Sequence, residues 1–125
     1  MYIQYNPNPE GIKVGDCVIR ALSKILNQDW NTTYVELCIQ GFILKDMPSS
    51  NSVWADYLLS KGYTYSAIPN LCPNCYTVEK FCEDNQEGRF LLGTGTHAVA
   101  VIDGNYYDSW DSGKEVPMYV FTKEE

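Results

Sequence analysis

Three residue types that act together in nucleophilic catalysis occur far apart in this chain. Cys17 lies in the segment Gly-Asp-Cys-Val-Ile-Arg-Ala, the single histidine, His97, precedes Ala-Val-Ala-Val-Ile-Asp-Gly, and Asp108 opens the segment Asp-Ser-Trp-Asp. A thiol, an imidazole and a carboxylate can serve as nucleophile, general base and orienter of the base. The residues therefore predict a Cys-His-Asp site, provided that the fold brings these three segments together.

Cys17 is expected at the start of the first helix, because apolar residues follow it at helical spacing (Val18, Ala21, Leu22 and Ile25). The unpaired N–H groups and the dipole at a helix N-terminus favour the thiolate over the thiol. The charge of the preceding Asp16 opposes this effect, unless its carboxylate caps the helix. Core packing is the alternative for Cys17, since buried cysteines commonly behave as small hydrophobic residues.

The turn that follows the strand of His97 decides which carboxylate can reach the imidazole. Asp103-Gly104 favours a two-residue type I′ turn, which places His97 opposite Trp110 and Asp108 one diagonal step away. A three-residue loop would bring Asp111 opposite His97 instead. We therefore expect Asp108 to be the orienting carboxylate. The alternative is a hydrogen-bonded structural histidine and two solvated acids.

The elements that must position these residues are predicted to be helices first and strands second. After an edge strand over residues 1–5, helices should begin near residue 16 or 17, at 33, at 50 or 51 and at 77. The second is expected to start with a capping box, Thr33 to Glu36, and to bury one apolar face (Val35, Cys38, Ile39 and Phe42). The third and fourth should bury Val53, Trp54, Tyr57 and Leu58, and Val78, Phe81 and Cys82, respectively.

Strands are predicted over residues 63–68, 89–93, 96–102, 106–110 and 116–121, separated by turn-forming residues. Helices followed by a meander of strands indicate an α+β fold, in which N-terminal helices pack on a C-terminal antiparallel β-sheet. Because the chain contains no linker, internal repeat or low-complexity run, we expect residues 1–125 to form a single domain.

Composition narrows the class of partner. Sixteen acidic residues against nine basic ones give a net charge of −7, and the basic residues are scattered, so we expect no binding to nucleic acid. No apolar run reaches the length of a membrane span, and the first residues do not look like a secretory signal. The odd number of cysteines, five, favours free thiols in the cytoplasm. The expected partner is a protein or peptide substrate, and the oligomeric state is left open.

A Cys-x-x-Cys pair, Cys72 and Cys75, raises the question of a metal. Structural zinc needs four converging ligands, and only this pair is close in sequence. Cys38 and Cys82 fall on apolar helical faces, where core packing explains them. We therefore expect neither a metal nor a cofactor, with zinc or a redox role for the pair as the alternatives.

Taken together, these residues resemble the papain-like cysteine peptidase superfamily. The order Cys, His, Asp matches, and Asp108-Ser-Trp-Asp111 is similar to the Asn-Ser-Trp-Gly segment of the papain family. The resemblance implies that Asp108 orients the histidine and that Trp110 shields their hydrogen bond. The length and the late His/Asp hairpin are similar to those of compact bacterial C39-like peptidases, and the motifs around Cys17 and His97 resemble those of small proteins of phages and Gram-positive bacteria.

The chain departs from that family at the oxyanion donor. Papain-like peptidases carry a glutamine upstream of the cysteine, and Gly11 stands at that position here. Asn8 or Asn6 could join the backbone N–H of Cys17 as the donor, or both could serve only to build turns before proline.

The resemblance implies a thiol hydrolase that cleaves a peptide, isopeptide or related amide bond through a thioester. Two alternatives remain. One is acyl transfer to an amine, of the transglutaminase type, on the same triad. The other is a catalytically inactive papain-like protein that binds a phage or host factor.

Overall fold

The computed structural model describes residues 1–68, 76–94 and 96–123. Within them lie the helices α1 (Cys17–Leu26), α2 (Trp30–Leu44), α3 (Asn51–Ser60) and α4 (Val78–Asp84). The strands are β1 (Tyr2–Gln4), β2 (Thr64–Ala67), β3 (Arg89–Gly93), β4 (Ala98–Ile102), β5 (Asn105–Asp108) and β6 (Tyr119–Thr122). The α+β prediction is confirmed. The predicted loop over residues 69–75, with Cys72 and Cys75, lies outside the described residues.

The strands form one sheet in the order β1-β5-β4-β3-β6-β2. All neighbours pair antiparallel except β1, which runs parallel to β5 with Tyr2 opposite Tyr106. The expectation of an antiparallel sheet is therefore wrong at this edge. Parallel neighbours need a long connection, and most of the chain, including every helix, separates β1 from β5.

Among the described residues, the core has two parts, one on each face of the sheet. The larger joins α1 and α3 to the sheet through Leu22, Trp54, Leu58, Leu91 and Phe121. The smaller lies under α4 and contains Val78, Phe81, Cys82, Val99 and Val101. The predicted buried residues of α3 and α4 are all buried, which confirms those two faces. Because α1 packs chiefly on β4, its first turn lies near the start of that strand.

The start of α2 differs from the prediction. Asp29 caps the helix, and its carboxylate accepts a hydrogen bond from the backbone N–H of Thr32 at 2.6 Å. The hydroxyl of Thr33 donates to the backbone oxygen of Asp29 at 2.8 Å, so the capping box from Thr33 to Glu36 is wrong. An aspartate ahead of the threonine satisfies the free N–H groups earlier and lengthens the helix by one turn.

The buried face of α2 is also not the predicted one. Leu37 is buried with Thr33 and Gly41, whereas Val35, Ile39 and Phe42 are 56%, 54% and 73% exposed. The segment after the helix folds back across Gly41, where a Cβ atom would lie 2.8 Å from the backbone oxygen of Asp46. The face of α2 that packs against the rest of the chain therefore contains two small residues, Thr33 and Gly41, on either side of Leu37.

This geometry makes a stability prediction for α2. Phe42→Ser should change the free energy of unfolding by less than about 0.5 kcal/mol, because the ring is already in solvent. Leu37→Ala should lower it by about 2–5 kcal/mol, because it removes a fully buried side chain. Urea unfolding of both variants measures this difference. A larger loss of unfolding free energy for Phe42→Ser than for Leu37→Ala would mean that the predicted face of α2 is the buried one.

Candidate active site

Cys17 is the first residue of α1 and is half-buried. Asp16 occupies the N-cap position with φ −110°, but its side chain makes no capping hydrogen bond. Its carboxylate instead accepts hydrogen bonds from Arg20 Nη1 at 2.5 Å and from Trp30 Nε1 at 2.8 Å. The charge of Asp16 is therefore paired with a cation instead of standing alone beside the sulfur.

His97 lies immediately before β4. Its backbone N–H donates to Thr94 Oγ1 at 3.1 Å, and its carbonyl accepts from the N–H of Thr94 at 2.9 Å. The strand begins at Ala98 and not at residue 96 as predicted. The ring Nε2 lies 2.6 Å from Oδ2 of Asp108. Cys17 borders the same cavity as His97 and lies close enough for the imidazole to influence the pKa of its thiol, and Nδ1 is the ring nitrogen that Asp108 leaves free.

The hairpin between β4 and β5 has the predicted geometry. Ile102 pairs with Asn105, and Asp103 and Gly104 have φ values of 50° and 79°, as a two-residue type I′ turn requires. Asp108, the last residue of β5, consequently reaches His97. Asp111, the alternative carboxylate, accepts a hydrogen bond from the Tyr106 hydroxyl at 2.5 Å instead.

Asp108 is fully buried, and its two carboxylate oxygens accept four hydrogen bonds. Oδ1 accepts from Arg20 Nη2 and from the backbone N–H of Ser109, both at 2.8 Å. Oδ2 accepts from Ser112 Oγ at 2.7 Å and faces His97. These contacts fix the orientation of the carboxylate and satisfy the hydrogen-bonding needs of a buried charge.

Trp110 lies against the imidazole, as the resemblance implied. The ring centroids of Trp110 and His97 are 5.0 Å apart, and the planes are tilted by 40°. The indole is 46% exposed, so it forms a layer between solvent and the histidine.

The electrostatics of the site favour a thiolate–imidazolium pair. Burial alone would raise the pKa of Cys17, but hydrogen bonds with His97 and the backbone of Ala98 outweigh it and lower the pKa below the ordinary value. Burial alone would lower the pKa of His97, but its hydrogen bonds with Asp108 and Cys17 raise that pKa to about 9. A sulfur that ionises early beside a ring that holds its proton is the nucleophilic form of such a site.

Cys17 and His97 border a cavity of about 660 Å³ between α1, α2 and the start of β4. Its walls are largely apolar and aromatic, formed by Ile19, Trp30, Tyr34, Leu37 and Trp54 among others. Cys38 also lines this cavity and is half-buried, so the prediction that it packs in the core is wrong. Cys82 is buried, as predicted, and burial raises the pKa of its thiol to about 11.

The two asparagines proposed as oxyanion donors are placed differently. Asn6 Oδ1 accepts from the backbone N–H of Asn8 at 3.3 Å, and Asn8 Oδ1 accepts from that of Glu10 at 2.8 Å, so both build turns. Asn8 also borders the cavity with Cys17, and its Nδ2 group remains as a donor. Asn6 is not among the residues that line the cavity, and its Nδ2 donates to the backbone oxygen of Ile12 at 3.4 Å.

Two residues that hold the carboxylate, Arg20 and Ser112, were not singled out in the sequence. Arg20 had no signal of such a role, because at helical spacing it falls with Ser23 and Lys24 on the polar side of α1. Ser112 had none, since a serine in a turn-rich segment is ordinary.

Among the described residues, no cluster of three or more His, Cys, Asp or Glu side chains could hold a metal ion. None of the helices in this part of the chain is both long enough and apolar enough to cross a membrane. Comparisons with family models, curated proteins and solved structures found no match to this chain.

Proposed function

We propose that this protein is a papain-like thiol hydrolase that cleaves a peptide, isopeptide or related amide bond. The observation that carries the proposal is the position of His97: its ring contacts the Asp108 carboxylate, and with the Cys17 thiol it borders a cavity that can hold a substrate. A buried carboxylate that contacts an imidazole beside a thiol supports the division of roles known from thiol and serine hydrolases.

In the first half-reaction the thiolate of Cys17 attacks the carbonyl carbon, and a C–S bond forms. The oxyanion accepts hydrogen bonds from the backbone N–H of Cys17, which has no acceptor within the helix, and from Nδ2 of Asn8. When the C–N bond breaks, the imidazolium of His97 gives its proton to the leaving nitrogen. The products are a free amine and a thioester on Cys17.

In the second half-reaction neutral His97 removes a proton from water as the oxygen attacks the thioester carbonyl. The C–S bond breaks, the acid leaves, and Cys17 returns as the thiolate beside a protonated His97. Asp108 stays ionised throughout and holds the ring by Nε2, so that the other ring nitrogen points toward the sulfur and the reacting atoms.

The nucleophile is tested by limited labelling with iodoacetamide at neutral pH, read by peptide mass spectrometry. We expect the first adduct on Cys17 and none there in Cys17→Ser, because the thiolate is the reacting form. Cys38→Ser is the matched control, since Cys38 borders the same cavity, and it should label as the wild type does. A different cysteine that is labelled as fast as Cys17 or faster in the wild type would contradict the assignment.

The reaction itself is tested with a library of peptides incubated in water enriched in heavy oxygen. Hydrolysis should produce new carboxyl termini that carry the heavy isotope, and Cys17→Ser should produce none. Products that carry an added amine would instead show acyl transfer on the same triad. A reactive Cys17 with no Cys17-dependent product from this library would favour the binding protein over the hydrolase.

A further inference from the structure

Arg20 connects the helix of the nucleophile to the orienting acid. It lies three residues after Cys17, on the same side of α1, and is only 5% exposed. One guanidinium nitrogen, Nη1, binds Asp16 Oδ1 at 2.5 Å, and the other, Nη2, binds Asp108 Oδ1 at 2.8 Å. A single planar cation thus bridges two buried carboxylates that are distant in sequence.

Arg20 and His97 contact different oxygens of the Asp108 carboxylate. By binding Oδ1 of Asp108, Arg20 leaves Oδ2 to face His97, and it resists rotation of the carboxylate about the Cβ–Cγ bond. Asp16 holds the opposite edge of the guanidinium, and Trp30, which lines the cavity, holds Asp16. A planar guanidinium suits this bridge, whereas an ammonium group acts as a single point charge.

Charge supports the same role. Among the described residues, the titratable and charged groups that face Asp108 are Arg20 from α1, His97 immediately before β4, and Tyr2 from β1, whose hydroxyl donates to the backbone oxygen of Asp108 at 3.2 Å. Burial would raise the pKa of Asp108, but hydrogen bonds with His97 and Ser112 and the charges of His97 and Arg20 hold it below the ordinary value.

The same cation also acts on the thiol. Cys17 is flanked by Asp16, whose charge is paired with Arg20, and it faces His97. The positive charge of Arg20 lowers the pKa of Cys17, in addition to the larger contributions of burial, which raises it, and His97, which lowers it. Loss of Arg20 would therefore move the ionisation of both the carboxyl and the thiol to higher pH.

We propose that Arg20 is the positioning residue of this site: held by Asp16, it keeps the Asp108 carboxylate ionised and turned toward His97, and so sets the pH range in which the Cys17–His97 ion pair exists. The inference rests on the proposed function, since it assigns Arg20 a role in preparing the nucleophile.

The test is the pH dependence of the iodoacetamide reaction at Cys17 in Arg20→Lys. On the acidic limb of this profile the alkylation rate rises with pH as the Cys17 thiol ionises. Lysine keeps a positive charge but cannot bridge both carboxylates, so this rise should move to higher pH by roughly one unit. The matched control is Arg89→Lys. Arg89 Nη1 contacts the backbone oxygens of Lys24 and Ile25 at the end of the same helix, at 3.4 and 3.3 Å, and this variant should keep the wild-type profile.

Asp16→Asn provides a second test that leaves Arg20 and the three proposed catalytic residues in place. Removing a negative charge beside Cys17 would, by charge alone, move the acidic limb to lower pH. Loss of the hold on Arg20 moves it to higher pH. An upward shift therefore supports the positioning role, and a downward shift or no shift overturns it, including where Arg20→Lys does not fold.

The two proposals fail in different ways. A wild-type thiol with a low-pH limb, together with an unchanged limb in folded Arg20→Lys, would refute the positioning role and leave the hydrolase intact. A wild-type Cys17 that titrates like an ordinary thiol, near pH 9.0, would instead contradict the hydrolase.

Discussion

Replacing His97 with glutamine is expected to slow the alkylation of Cys17 by iodoacetamide at pH 7 by about tenfold or more. Without the imidazolium the thiol returns to its ordinary pKa of 9.0 or above, because burial raises this pKa and the effect of His97 that lowers it is gone. Such a thiol is ionised in only about 1% of molecules at pH 7. The alkylation rate falls by less than the thiolate fraction, since a more basic thiolate is the better nucleophile.

Hydrolysis should suffer more than alkylation in this variant, with a loss of about 10²–10⁴-fold. The leaving nitrogen needs a proton that iodoacetamide does not, and His97 is the proposed source. In the wild type, hydrolysis should decline as the pH rises through about 9, where His97 loses that proton. Alkylation does not need the proton, so the alkylation rates of the two proteins should converge above this pH.

The measurement is the second-order rate of adduct formation at Cys17, followed across pH by mass spectrometry. Cys38 in the same digest is the internal reference for access of the reagent to the cavity, because it lines the same walls. Equal rates for Cys17 in the two proteins at pH 7, with native circular dichroism in both, would show that His97 does not activate the thiol.

Local signals in the sequence were sufficient for the parts of the fold that depend on neighbouring residues. Thr77 caps α4 through its hydroxyl, which accepts from the N–H of Lys80, and the Asp103-Gly104 turn sets the register of β4 and β5. Once that register is fixed, the choice between Asp108 and Asp111 follows from the alternation of side chains along a strand. This is why the carboxylate that contacts His97 could be chosen from the sequence.

The packing of α2 could not be predicted in this way. Between Trp30 and Leu44 the only charged residue is Glu36, and apolar residues occur around much of the helix, so its periodicity does not indicate one buried face. The buried face contains Thr33 and Gly41, and Gly41 lets the backbone of residues 46 and 48 approach the helix. The buried face depends on where the following segment runs, and no local pattern encodes that path.

The contacts of Arg20 could not be predicted from the sequence for a related reason. Asp16 is four residues away and could have been found, but Asp108 is 88 residues away. Arg20 falls with Ser23 and Lys24 on the polar side of α1, which is typical of a solvated residue. Only its burial in the fold shows that it must have partners, because an unpaired buried cation is too costly. The resemblance to papain-like peptidases assigned no role to this position.

Replacing Arg20 with methionine is expected to lower the free energy of unfolding by about 3–5 kcal/mol at neutral pH. Methionine fills much of the same volume, but it leaves the carboxylates of Asp16 and Asp108 buried without their shared cation. The cost of stranding those charges exceeds what the bridge itself contributes, since a buried ion pair gives little net stability relative to apolar packing. Urea unfolding at several pH values measures the loss.

The pH dependence separates stranded charge from lost packing. In the wild type the pKa of Asp108 is depressed, so this carboxyl contributes stability above its unfolded pKa, near 3.8, and that contribution is lost as the pH falls. In Arg20→Met a stranded carboxyl can bind a proton already at higher pH, so the variant loses less stability on acidification. The difference between the two proteins should therefore narrow from pH 7 toward pH 4, whereas a constant difference would mean that lost packing causes the effect. Arg89→Met removes an exposed arginine at the other end of α1 and should change stability by no more than about 0.5 kcal/mol, which makes it the matched control.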